Sequence, residues 1–191
     1  MPTGLYQPMR TVDSIDEIIE GWPWLSARVA QEMVETYGLP HKATASMLVW
    51  YYNHPWKRTI LWKEGVYHGF PRPHLDILEQ TLEYRVPFQK IPELALYNSS
   101  LSINQARGEI TISCSNEAMN FLTVNLAHEI IIGHLRPAQA KGRHREVVAG
   151  LKLHWPEPFT EGLTFEVVRR GYGAGESDES PHPIPWMFKK H

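Results

Sequence analysis

Apolar positions along this chain follow two rhythms. Leu25, Val29, Met33 and Val34 recur at three- and four-residue intervals, the signature of one helix face. This helix is expected to start at Pro23, where a fixed φ suits the first turn, and to stop at Gly38 with Pro40 beyond. Before it, Ser14-Ile-Asp-Glu17 forms a capping box and predicts a short helix over 14–20. The run Ser46–Tyr52 is rich in β-branched and aromatic residues, and Lys57–Lys63 alternates. With Asn53-His54-Pro55 between them, the two read as an antiparallel hairpin. Glu64-Gly65 reads as a further turn, leading to Val66-Tyr67.

Leu75, Leu78 and Leu82 return to helical spacing and predict a helix over 73–84 that ends before Pro87, followed by a short one over 88–96. A second hairpin is expected from 101–104 and 109–113 across Ala106-Arg-Gly108. Ser115 or Asn116 should cap a long helix over 117–132, closed by Gly133. Another helix is expected near 137–148 and a last strand over 163–168. Clustered hairpins and helices, without βαβ alternation, predict an α+β fold: an antiparallel sheet of two hairpins plus a C-terminal strand, packed against several helices. Residues 1–170 are expected to form one domain, opening with an irregular arm over 1–12, and the Gly- and Pro-rich stretch 171–191 a tail.

Composition narrows the function classes. The chain has 191 residues and a net charge of −2, so no global basic field recruits nucleic acid or an acidic membrane. No apolar run approaches the roughly 20 residues that span a bilayer. The single cysteine, Cys114, excludes an internal disulfide and any cysteine-based zinc centre. A nucleophilic role for it would need a neighbouring base, and the sequence identifies none. With no basic, apolar leader at the start, a cytoplasmic protein is the expectation.

Three groupings could carry chemistry. His128-Glu129-Ile-Ile-Ile-Gly133-His134 nearly spells the H-E-x-x-H zinc motif. Ile132 stands in the second ligand's place, and on a regular helix two residues six apart point about 120° away from each other. A hydrolase with His128, Glu129 and His134 would need the helix to break at Gly133, and a third ligand such as His144 or His154. The plainer expectation places His128 and Glu129 on the helix surface. His74-Leu-Asp76 has the H-x-D form of a non-haem iron site, yet on a helix positions two apart diverge by about 200°. Asp76 is then better explained as a first-turn carboxylate. The third grouping is Trp56, Lys57 and Arg58 with His68 and His74, indole surface beside fixed charge, suited to a small anionic or aromatic ligand. Arg136, Lys141, Arg143 and Arg145 read as a solvated helix face.

Pro55-Trp-Lys-Arg-Thr59, Pro73-His-Leu-Asp-Ile-Leu-Glu-Gln80 and Tyr84-Arg-Val-Pro87 carry a likeness. The segment from about Tyr37 to Leu135, roughly half the chain, resembles a group of small bacterial proteins of uncharacterised role. The likeness implies no reaction, cofactor or partner, and it weakens around His128 and His134. The leading expectation is a protein that binds a small molecule or a partner. A metal-dependent hydrolase and an oligomeric accessory protein, for instance a homo-oligomer joined through exposed Trp and Tyr, are the alternatives.

Overall fold

A computed structural model describes residues 15–151 and 157–167. The arm over 1–12, His154 and the tail over 171–191 lie outside the described residues. The fold is α+β. Six strands form one antiparallel sheet: β1 (Lys42–Ala43), β2 (Met47–Tyr51), β3 (Arg58–His68), β4 (His74–Glu83), β5 (Leu101–Asn104) and β6 (Glu109–Cys114). Their order across the sheet is β1-β2-β3-β4-β6-β5. The helices are α1 (Ile15–Ile19), α2 (Trp24–Tyr37), α3 (Ile91–Tyr97), α4 (Glu117–Ile131) and α5 (Pro137–Leu151). Short 3-10 turns occupy Phe88–Lys90 and Pro158–Thr160.

The expected helices at 14–20, 24–37, 88–96 and 117–132 and both hairpins are present within a residue or two. Asn116 is the cap of α4, its Oδ1 accepting from the Met119 N–H at 3.1 Å. The helix expected over 73–84 is instead β4, a central strand. Leu78 and Leu82 do share a face, but with Gln80 between them, facing Ile110, Ile112 and Cys114 of β6. The Glu64-Gly65 turn is also absent. Strand β3 runs straight through it, with a bulge in its place. Of the last expected strand, only Phe165 makes a bridge among the described residues.

Helix α4 is the centre of the larger core, and most of its residues are buried, polar ones included. Asn120 donates from Nδ2 to the Leu78 carbonyl at 3.0 Å and to Gln80 Oε1 at 2.9 Å, tying the helix to β4. On the opposite side Asn125 holds the chain over 159–164. Its Nδ2 donates to the carbonyls of Phe159 and Gly162, and its Oδ1 accepts from the Thr164 N–H. A helix enclosed on both sides has no polar face to show, which corrects the expectation of a surface His128. A second core joins α1 and α2 to Leu48, Trp50 and Leu61 of the sheet.

Candidate metal centre and the cleft beside it

The end of the β3–β4 hairpin is built by an irregularity. Up to Leu61, which pairs with Leu78, the ladder is regular. The next pair is Val66 with Asp76, so residues 62–65 of β3 span what Ile77 alone spans on β4. Three extra residues is an odd number, and the side-chain period is two, so the bulge exchanges the faces of β3. Even-numbered residues now point the way Thr59 and Leu61 point earlier. His68 therefore lies directly across from His74, on the face that also carries Asp76. Gly65 makes this possible. A Cβ there would stand 2.7 Å from Ile77 Cγ2 and 2.8 Å from Leu75 Cβ.

On a strand, positions two apart share a face. The physical objection to His74-x-Asp76 as a paired set therefore disappears. His68, His74 and Asp76 each offer a ligand atom, and all three atoms lie within 4.8 Å of one another. His74 Nε2 is 3.0 Å from Asp76 Oδ1, and His68 Nδ1 is 3.4 Å from Asp76 Oδ2. Neither approach has hydrogen-bond alignment: His68 Nδ1 and Asp76 Oδ1 are buried and without a hydrogen-bond partner.

The outward nitrogens are both engaged. His74 Nδ1 sits 2.8 Å from the Arg72 carbonyl, which can only accept, so Nδ1 carries the proton and Nε2 is left to face Asp76. His68 Nε2 contacts Ser99 Oγ at 3.1 Å, leaving Nδ1 on the inner side. This is the outer-shell arrangement that orients imidazole ligands. Without a cation, the Asp76 carboxylate and then the Cys114 sulfur beside it hold the His74 imidazole protonated up to about 10.

Cys114 Sγ lies 3.3 Å from His74 Nε2, so the side chain beside the thiol that the sequence could not identify is His74. Both residues also line a cleft of about 980 Å³. Arg28 and Arg72 stand along it, with Met119, Val148 and Leu151 as apolar wall. His144 lines it too. Its ring is 1% exposed, its Nδ1 is 2.9 Å from the Tyr97 hydroxyl, and its Nε2 is buried with no partner. Burial, reinforced by the charges of His74, Arg145 and His68, lowers its pKa to about 4 and keeps it neutral.

The other residues singled out in the sequence lie elsewhere. Trp56 is fully buried, stacked on Phe121 and donating from Nε1 to Glu117 Oε1 at 2.7 Å. Lys57 bridges Glu83 and Glu109 at 2.9 and 3.0 Å, and Arg58 reaches Thr81 at 3.2 Å. These three sit at the opposite end of β3 from His68, so the structure separates them from His68 and His74 and offers no shared wall. His128, Glu129 and His134 do not converge either. His128 Nδ1 meets the Tyr84 hydroxyl at 2.9 Å inside the core, its ring stacked on Phe165. His134 is at the surface, with Nδ1 2.9 Å from Glu129 Oε2. Of the basic stretch, Lys141 and Arg145 lie over the Phe70 ring, and Arg143 pairs with Glu157.

Asp76, Ser99, Cys114, His144 and Arg28 are the site residues that sequence reasoning passed over or set aside. The H-x-D spacing was the one signal that could have found Asp76, and a strand assignment for 74–83 would have released it. Among the described residues, no helix is long and apolar enough to cross a membrane. Comparison of the chain with protein families, with curated proteins and with solved structures finds no match.

Proposed function

We propose that this chain is a metalloprotein in which His68, His74 and Asp76 hold one divalent transition-metal ion at the edge of a small-molecule cleft. The observation that carries the reading is the convergence of three ligand atoms within 4.8 Å of one another, those of His68 and Asp76 buried without a hydrogen-bond partner and both imidazoles already held by outer partners. Two neutral imidazoles and a carboxylate suit Zn(II), Fe(II), Mn(II) or Co(II) better than Ca(II), which prefers an all-oxygen shell. Three protein ligands leave coordination positions open, as catalytic sites do and structural zinc sites do not. His74 belongs to both the cluster and the cleft wall, so a molecule in the cleft lies beside one of the three ligands. This keeps the small-molecule expectation from the sequence, with His68 and His74 retained and Trp56, Lys57 and Arg58 released to structural roles.

The test is metal titration of chelator-stripped protein by calorimetry, with elemental analysis of the product. The wild type should take up one ion per chain. His74→Ala and Asp76→Ala should each lose at least about 100-fold in affinity, more than the 10–100-fold typical of removing an outer partner. His134→Ala should behave as wild type. Equal uptake by wild type and His74→Ala, or none by either, refutes the proposal.

A further inference from the structure

We infer that the cleft beside the cluster receives an amphipathic organic oxyanion, a carboxylate or phosphate monoester carrying an apolar chain. The inference extends the metal reading to the adjoining cleft, and it stands on different atoms.

Charge comes first. Arg28 and Arg72 are both exposed and both line the cleft, and among the described residues that line it none is acidic. Arg28 reaches Glu32 at 3.5 Å and lies over Trp24, contacts at the surface that leave part of its donor fork available. Helix α4, of 15 residues, starts at this cleft, since Ser115, Asn116 and Ala118 line it. Its positive end adds to the field of the two guanidinium groups. The acid in its first turn, Glu117, is drawn away by three donors: the Tyr37 hydroxyl, Trp56 Nε1 and Gln80 Nε2.

The second observation is His144. A buried polar atom without a partner carries a desolvation cost, and a ligand oxygen removes it. The Tyr97 hydroxyl engages Nδ1, so with Tyr97 donating, Nε2–H remains to donate to an oxyanion. The apolar wall is the third. Met119, Val148 and Leu151 accept a hydrocarbon chain, which a bare inorganic anion does not have. The volume, about 980 Å³, is at the top of the range for drug-sized ligands.

Octanoate, octyl phosphate, octanol and inorganic phosphate, titrated by calorimetry into the chelator-stripped full chain and into the Zn(II)-loaded one, test this. Octanoate or octyl phosphate should bind at least about tenfold more tightly than octanol and than phosphate alone. Which of the two wins identifies the head group. The paired substitutions Arg28→Gln and Arg72→Gln should abolish the preference over octanol while leaving metal uptake intact, because the partner of His74 is the Arg72 backbone carbonyl, which the substitution keeps. His144→Phe should weaken both oxyanions with little effect on octanol. Octanol binding as tightly as the oxyanions, or no oxyanion binding to either form, overturns the inference. Oxyanion binding to a chain that takes up no metal sinks the metal proposal alone, and metal uptake without oxyanion binding sinks this one alone.

Discussion

Substituting Gly65 by alanine is the sharpest perturbation of the metal cluster, because one methyl group acts on the device that assembles it. The new Cβ meets Ile77 Cγ2 at 2.7 Å and Leu75 Cβ at 2.8 Å. The Ile77 methyl can rotate, but Leu75 Cβ is fixed to the backbone of β4 and cannot. Ile77 is also 1% exposed, so its side chain has little room to move into. Overpacking of this kind costs about 1–3 kcal/mol.

The alternative open to the chain is to lose the bulge and continue the ladder in the register of Leu61 with Leu78. That register places Lys63 opposite Asp76 and residue 65 opposite His74, and sends His68 beyond the end of the strand pair. Strain at the bulge falls on the segment that positions His68, and in the regular register the third ligand leaves. Gly65→Ala should therefore lower the urea midpoint by the amount corresponding to 1–3 kcal/mol and reduce metal affinity about 100-fold or more. Gly142→Ala is the control: it lies in α5 with nothing within 4 Å of its Cβ position, and should stabilise by up to about 1 kcal/mol. Wild-type stability and wild-type metal binding in Gly65→Ala would refute the account of the bulge.

Three further outcomes are expected. Glu117→Ala leaves the Tyr37 hydroxyl, Trp56 Nε1 and Gln80 Nε2 without their shared acceptor and should cost about 3–5 kcal/mol in chemical denaturation, with Glu117→Gln recovering part of it. Ser99→Ala removes the outer partner of His68 Nε2 and should weaken metal binding about tenfold while leaving the urea midpoint unchanged. Burial, and then the charge of His134, hold the His128 pKa at about 4, below the 6.5 of an unfolded histidine. Between those values the unfolded chain binds the additional proton, so His128 contributes stability that is complete above about pH 6.5 and is lost as the pH falls toward 4. Denaturation at pH 7 and pH 4.5 should show His128→Gln losing on the order of 2 kcal/mol less than wild type on acidification, and equal losses would refute it.

The amino-acid sequence by itself determined the local elements whose signals lie within a few residues. Asn116 capping α4, Gly38 closing α2 and the apolar spacing of Val29 and Met33 needed no distant partner to be legible. The α+β class followed from the succession of such segments. Strand β4 was illegible because its leucines also fit a helix, and most of its residues have no strong strand preference. It is a strand because β3 and β6 flank it, and strand pairing answers to neighbours more than to intrinsic preference. That one assignment hid the cluster, since His74 and Asp76 diverge on a helix and align on a strand. His68 joins them only through the bulge at Gly65, His144 only through the packing of α5, and the buried face of His128 only through the enclosure of α4. Local chemistry chose the pieces. The sheet's register, set by contacts between residues far apart in the chain, chose which side chains meet.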